Sequence, residues 1–197
     1  MKKSLFIAIA FFAAFTLHAQ RINLGLKGGL NLASVSDSEN EDDVRSRLGY
    51  HAGLFFNIPV TPQIAIQPEA IYSNQGTKYD IGTGNDLQLS LNYINIPVMV
   101  QAMVGRGFYA QVGPQLGILT SVSDKVGDIE LGAVSKDDFK TTDVSLGFGV
   151  GFKGASGLGI DARYNLGLTN INNSGRSANV KNNVLQIGLM LQLSGRR

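Results

Sequence analysis

From residue 20 onward, the sequence alternates between apolar and polar residues in successive runs that are separated by turn-forming residues. A period of two is that of a β-strand, whose successive side chains point to opposite faces of a sheet. This part of the sequence has no run of the roughly 20 apolar residues that a membrane-spanning helix needs. The sequence therefore predicts an all-β protein, and such a chain can enter a membrane only as a closed barrel.

Eight runs show the alternation, and one of them changes phase. In residues 87–100, the apolar positions are odd-numbered up to Tyr93 and even-numbered from Ile94 onward. Because a slip of one residue moves every side chain to the opposite face, this change predicts a β-bulge near Tyr93 and Ile94, with a second disturbance at Pro97. The other runs cover residues 22–32, 48–58, 64–73, 108–118, 144–153, 158–168 and 185–193.

The N-terminal segment has the make-up of a secretory signal peptide. Lys2 and Lys3 precede an apolar run that ends at Leu17, and the small residue Ala19 follows shortly after. A basic start, a short apolar core and a small residue at the end are the three parts of such a signal. We predict that residues 1–19 are removed and that residues 20–197 form one barrel domain. An apolar anchor that stays attached is the alternative.

Removal of this signal changes the charge balance. The chain has 17 Lys and Arg residues and 15 Asp and Glu residues, and Lys2 and Lys3 account for the difference. The remaining domain would be formally neutral, which gives no electrostatic reason to expect nucleic acid as a partner. The sequence contains no cysteine, which excludes a lipid anchor on cysteine, a disulfide and a thiolate metal site.

The connections between the runs alternate in length. Long segments cover residues 35–45, 76–86, 122–140 and 172–178, whereas short ones cover 60–62, 104–107 and 154–157. Membrane barrels have short turns at the periplasmic end and longer loops outside. We therefore predict an eight-stranded antiparallel up-and-down transmembrane β-barrel whose apolar face points outward. A soluble lipocalin-like barrel, with the apolar face around a ligand, is the alternative.

Eight short motifs in this order resemble the PorT-like family of outer-membrane β-barrels found in Bacteroidetes. The resemblance covers nearly all of the chain after the predicted signal, and it implies an eight-stranded barrel in the outer membrane. The founding member is associated with a protein secretion pathway, but fold resemblance alone does not transfer that role. The motifs are GLKGGLNLA (25–33), GYHAGLFFNIP (49–59), IAIQPEAIYSNQG (64–76), LNYINIPVMV (91–100), FYAQVGPQLGIL (108–119), LGFGVGF (146–152), ARYNLGLTNI (162–171) and VLQIGLMLQL (184–193).

The polar face of the runs would line the barrel interior, which in an eight-stranded barrel is just wide enough to be filled by side chains. Buried charges need partners, so we expect Glu69 to contact Arg163 or Lys27, and Asp161 to contact Lys153 or Arg163. A structural polar network is the favoured interpretation, and a polar conduit or proton relay is the alternative. The predicted network consists of Lys27, His51, Gln67, Glu69, Gln111, Gln115, Lys153, Asp161, Arg163 and Gln186.

The first long connection is rich in acidic residues. Clustered carboxylates suit a hard cation or a partner protein, although the spacing is not that of a calcium-binding loop. A solvated loop without a ligand is the alternative. The acidic residues are Asp37, Glu39, Glu41, Asp42 and Asp43.

The sequence offers no catalytic, cofactor-binding or metal-binding motif. His51 is the one histidine after the predicted signal, and the glycines at 147, 149 and 151 follow strand alternation with no helix after them. We predict a monomeric, non-enzymatic outer-membrane protein that contacts membrane lipid and lipopolysaccharide, and envelope proteins through its loops. An accessory role in secretion or envelope assembly, and a small-solute pore, are the alternatives.

Overall fold

The computed structural model describes residues 22–37, 44–80, 86–127, 129–173 and 180–193. Most of these residues lie in β-strands, and one 3-10 turn covers Lys136–Asp138. No helix in this part of the chain is long and apolar enough to cross a membrane. The strands are β1 (Asn23–Asp37), β2 (Val44–Pro59), β3 (Ile64–Asp80), β4 (Asp86–Met103), β5 (Phe108–Val126), β6 (Ile129–Glu130), β7 (Thr142–Lys153), β8 (Leu158–Gly167) and β9 (Val180–Leu193).

All strands except β6 form a closed antiparallel ring in the order β1-β2-β3-β4-β5-β7-β8-β9, and β9 pairs back to β1. The pairing that closes the ring extends from Leu24↔Leu193 to Asp37↔Val180. The short β6 forms a hairpin with β5. A closed ring has no open strand edge, so each of the eight strands in the ring has a partner on both sides. The predicted eight-stranded antiparallel barrel is confirmed.

The two ends of the barrel differ. Short connections join β2 to β3, β4 to β5 and β7 to β8 at one end, which we name the turn end and where β1 begins and β9 ends. The remaining connections lie at the opposite end, which we name the loop end. Both chain termini of the barrel therefore lie at the turn end.

The apolar residues of the alternating runs point outward. Leu30, Ile187 and Leu189 are 57%, 52% and 61% exposed, whereas Lys27 and Arg163 on the opposite face are 5% and 1% exposed. Successive residues of a strand face opposite sides, so the outward apolar residues of neighbouring strands form an apolar belt around the barrel. This orientation contradicts the lipocalin-like alternative, in which the apolar face would surround an internal ligand.

The strands continue further toward the loop end than the alternation predicts. The connection from β1 to β2 covers residues 38–43 rather than 35–45, and that from β3 to β4 covers 81–85 rather than 76–86. Strand pairing depends on backbone hydrogen bonds and not on apolar side chains. The ladder can therefore continue beyond the apolar belt, where the period-two pattern is lost.

The bulge predicted near Tyr93 and Ile94 is not in β4 itself. Leu91, Tyr93 and Asn95 all point inward, so this strand keeps one phase along its length. The apolar positions change from odd-numbered to even-numbered because β4 passes out of the apolar belt at the height of Tyr93. On the loop side of Tyr93 the interior is apolar and the exterior polar, which is the reverse of the arrangement within the belt.

A bulge does occur at this height, but its extra residue belongs to β5. Asn92 pairs with Ser121 and the next residue, Tyr93, pairs with Leu119, which leaves Thr120 without a counterpart on β4. The inward positions of β5 are odd-numbered up to Leu119 and then shift, with Asp124 buried. A bulge of this kind reverses the facing of the residues that follow it.

Candidate functional site

Four charged side chains form a neutral layer across the interior, which we name the ionic layer. Arg163 of β8 donates two hydrogen bonds to Glu69 of β3, from Nη1 to Oε2 at 2.8 Å and from Nη2 to Oε1 at 2.6 Å. Lys27 of β1 places Nζ 2.7 Å from Oδ2 of Asp161 and 3.8 Å from Oε2 of Glu69. Each of these charges is buried beside an opposite charge, as burial requires.

The partner predicted for Asp161 is wrong. Asp161 contacts Lys27, whereas Lys153 lies half-buried near the turn end and donates a hydrogen bond to Oε1 of Gln192 at 2.7 Å. Lys27 and Asp161 are 134 residues apart in the chain, and they meet because the closed ring brings β1 near β8. The expected pairing of Glu69 with Arg163 and Lys27 is what the structure shows.

Amide side chains extend the ionic layer. Gln67 donates a hydrogen bond to Oε1 of Glu69 at 2.8 Å, and Gln111 accepts one from Nη2 of Arg163 at 3.2 Å. Asn57 donates to Oε1 of both Gln67 and Gln101, at 3.2 and 2.9 Å. Sequence reasoning did not include Asn57, a polar residue of the run 48–58, or Gln101, which lies one residue beyond the run 87–100.

Toward the loop end, His51 belongs to a second polar group. Its Nδ1 lies 2.8 Å from Oδ1 of Asn31, which also accepts a hydrogen bond from Gln186 at 3.2 Å. Asn31 donates in turn to Oγ of Ser73 at 2.9 Å. His51 is therefore held inside a hydrogen-bonded group of neutral side chains. Asn31 shares the odd-numbered inward face of β1 with Lys27, so alternation could have identified it.

Two apolar clusters lie inside the barrel, one at each end. Phe55, Tyr109 and Met190 form the cluster near the turn end. The cluster near the loop end contains Leu89, Leu91, Tyr93, Leu119 and Ile171. The ionic layer thus has an apolar cluster on its loop side and another on its turn side, where the amide side chains of Asn57 and Gln101 also lie. Alternation did not predict these clusters, because it assigned inward positions to polar residues.

The segment between β6 and β7 covers the cluster at the loop end. Phe139 packs against this cluster and forms a bridge with Asn172 of the connection from β8 to β9. The amide of Lys140 donates to the carbonyl of Ile171 at 2.8 Å, and that of Asn173 to the carbonyl of Asp138 at 2.9 Å. We name this joined region, residues 131–141 and 168–173, the cap.

On the outside, a chain of hydrogen bonds borders the apolar belt toward the loop end. Nη1 of Arg47 donates to Oδ1 of Asn74 at 2.7 Å, and Nδ2 of Asn74 donates to Oδ1 of Asn92 at 2.6 Å. Asn92 then donates to Oγ of Ser121 at 2.9 Å. These four residues, which we name the polar girdle, follow outward apolar residues on β2 to β5 and mark the change from an apolar to a polar exterior.

The remaining predicted residues are placed as follows. Gln115 is buried and donates to Oγ of Ser145 at 3.1 Å. Asp37 is the last residue of β1. The acidic residues of the first connection, Glu39, Glu41, Asp42 and Asp43, lie outside the described residues. Within the described ranges, no three His, Asp or Glu side chains are grouped so that they could hold a metal ion.

A closed ring of strands with an apolar outside and an ion-paired inside is the construction of an integral membrane β-barrel. The sequence agrees, since residues 17–173 match the family described as "Outer membrane protein beta-barrel domain". The chain belongs to this family, and the protein is an outer-membrane β-barrel. In such barrels the short turns face the periplasm and the longer loops face the exterior, which orients the turn end and the loop end.

Two solved structures share this fold. Neisserial surface protein A (NspA) aligns with a TM-score of 0.56 at 14% identity, over 86% of this chain and 97% of NspA. Ail, the attachment invasion locus protein of Yersinia pestis, aligns with a TM-score of 0.50 at 12% identity, over 88% of this chain and 99% of Ail. Likeness at these identities concerns the fold alone. No curated protein sequence matches the chain.

Proposed function

We propose that the protein is a closed, non-enzymatic barrel that acts at the outer surface through its loop end rather than by passing solutes. One observation carries this proposal: the ionic layer lies between two apolar clusters, so a solute would have to displace both clusters and separate buried ion pairs. Separating such pairs is unfavourable, because each charge would lose its partner while it remains buried. The predicted acidic residues of the first connection would contribute to this loop-end surface, as a contact for a cation or a protein.

Conductance measurements test this closure. Planar bilayers or liposomes that contain the purified full chain are expected to show no conductance above that of protein-free membranes. A known porin, reconstituted in the same lipid, serves as the positive control. Discrete and reproducible channel openings from the wild-type chain would contradict the proposal and favour the small-solute pore.

The lipid partner that the exterior fits best is lipopolysaccharide. Arg47 is held in the polar girdle, and Arg45 and Lys78 are paired in backbone register further along β2 and β3. The exposed rings of Tyr50 and Tyr72 lie beside each other on the same strands, with their centroids 6.1 Å apart. Aromatic side chains are typical of the membrane interface, and cations at that height suit anionic headgroups.

The variant Arg47→Gln tests the contribution of this cation. A basic residue near an anionic membrane surface contributes about 1 kcal/mol, so we expect about fivefold weaker binding of lipopolysaccharide to the purified barrel. Lys125→Gln is the matched control, since Lys125 is exposed near the same end but pairs with Glu130 at 2.8 Å. Equal binding of lipopolysaccharide by both variants and the wild type would contradict a contribution of Arg47.

The order of the motifs supports a finer assignment. We infer a PorT-like branch of the family, and with it an accessory role in secretion or envelope assembly as the second candidate function. Stable co-purification of large envelope proteins from mildly solubilised membranes would support this role. Isolation of the barrel alone, as a monomer, would argue against it.

Export is part of the same proposal. The basic start and short apolar core of residues 1–19 support cleavage after Ala19, so that the barrel domain begins at Gln20. The intact mass of the protein purified from outer membranes is expected to correspond to residues 20–197. A mass that includes residue 1 would support the retained anchor instead.

A further inference from the structure

Between the ionic layer and the cap, neutral side chains carry buried polar atoms that have no hydrogen-bond partner. Asn165 is 1% exposed, and neither its Nδ2 nor its Oδ1 has a partner. Nδ2 of Asn95 and Oε1 of Gln115 are also buried without one, in side chains that are 2% and 6% exposed. Buried amides in folded proteins are hydrogen-bonded to protein or to ordered water, so this concentration of unpartnered atoms needs an explanation.

The strand register places these side chains in one region. Asn165 is one inward position beyond Arg163 on β8, toward the loop end. Gln186 of β9 pairs in register with Arg163, and its Oε1 is likewise without a partner. On the opposite wall, Asn95 of β4 pairs with Gly117 of β5, two residues from Gln115.

Glycines leave room for these amides. A Cβ atom at Gly147 would lie 2.9 Å from Oδ1 of Asn165 and 3.3 Å from Cε of Met99. A Cβ atom at Gly117 would lie 2.9 Å from Oδ1 of Asn95. Side chains at these two positions would thus occupy space next to the unpartnered atoms.

The unpartnered donors and acceptors indicate what kind of molecule would bind in this region. The unpartnered atoms include donors, such as Nδ2 of Asn95, and acceptors, such as Oε1 of Gln115. The charges of the ionic layer are already paired with one another. The buried carboxylate of Asp143, a residue that pairs in register with Gly117, already accepts a hydrogen bond from Oγ1 of Thr169 at 2.7 Å. A neutral molecule that both donates and accepts hydrogen bonds fits a lining of such atoms.

We propose that Asn95, Gln115, Asn165 and Gln186 line a closed internal chamber that binds a cluster of ordered water molecules. Each water would bridge amides that do not reach one another, as buried waters do in other proteins. The chamber lies between the ionic layer and the apolar cluster beneath the cap, so its water is separated from both sides of the membrane. It is therefore compatible with a barrel that does not conduct, and it does not depend on which partner the loops bind.

Magnetisation transfer from water to side-chain amides, measured by NMR on the full chain in nanodiscs, tests the chamber. We expect cross-peaks from water at the amide groups of Asn95 and Asn165. Gln67 is the internal control, because it is equally buried but bonded through both its amide nitrogen and its oxygen. No cross-peaks at Asn95 and Asn165, or equal cross-peaks at Gln67, would overturn the proposal.

The variant Asn165→Leu provides a second measurement. Leucine has a similar size but cannot bond to water, so the water cross-peak at Asn95 is expected to weaken or vanish. Tyr164→Leu is the matched control, since Tyr164 is the preceding residue of β8 and faces outward at 43% exposure. An unchanged cross-peak at Asn95 in Asn165→Leu would contradict a shared chamber. If this variant does not fold, the wild-type comparison with Gln67 still decides.

Discussion

The variant Arg163→Met is expected to destabilise the barrel by roughly 3–5 kcal/mol, which is the usual effect of removing one partner from a buried ion pair. Arg163 is fully buried and makes both of its short hydrogen bonds to Glu69. Its loss would leave the buried carboxylate of Glu69 with the hydrogen bond from Gln67 and with Lys27, at 3.8 Å, as its cationic partner. Unfolding in urea, followed by the heat-modifiable migration of the folded barrel on gels, measures the effect.

The double variant Glu69→Met with Arg163→Met is the matched control. It removes the pair together and leaves Lys27 with Asp161 as a neutral pair, so most of the lost stability is expected to return. If the double variant is as unstable as Arg163→Met, packing rather than charge accounts for the loss. If Arg163→Met is as stable as the wild type, the ionic layer does not stabilise this barrel.

Gly113→Ala is the second variant with a large expected effect. A Cβ atom at Gly113 would overlap the carbonyl oxygen of Val98 and lie 2.9 Å from Cα of Met99. Both atoms belong to the backbone of the neighbouring strand β4, so they cannot turn aside as the end of a flexible side chain could. We expect a loss of stability of about 3 kcal/mol or a failure to form the barrel, at the upper end of what overpacking causes.

Gly28→Ala is the control for this substitution. Gly28 also lies within a barrel strand, but the nearest atom to its added Cβ is the carbonyl oxygen of His51, at an ordinary 3.4 Å. Its folded fraction and its urea midpoint are expected to stay close to those of the wild type. Similar behaviour of the two alanine variants would show that the close approach of β4 to β5 does not constrain Gly113.

Alternation predicted the strands well within the apolar belt and less well beyond it. Leu30 and Ile187 lie in the belt, where lipid outside and polar groups inside impose opposite chemistry on successive residues. Beyond the belt, Leu91 and Tyr93 point inward into the cluster beneath the cap while polar residues point outward. In β4, the apolar residues of the alternation therefore point outward on the turn side of Tyr93 and inward on its loop side. A single sequence does not show where the membrane ends.

The candidate site was predictable as a set of residues but not as a set of contacts. Polar residues on the inward face of predicted strands, such as Lys27 and Gln67, identify the interior because their period is that of the strand. The choice of partner depends on the tilt and stagger of the closed ring, which place Asp161 beside Lys27 rather than beside Lys153. The alternation of neighbouring residues along the sequence contains no information on that stagger.

The alternation from residue 20 onward thus determined the number of strands, their antiparallel order and the division between an outer and an inner face, because each follows from the local period and from connection lengths. The tertiary structure alone decided which charges pair, where the bulge lies and that apolar clusters lie toward both ends of the interior. These features depend on residues far apart in the chain, such as Glu69 and Arg163, which meet only when the ring closes.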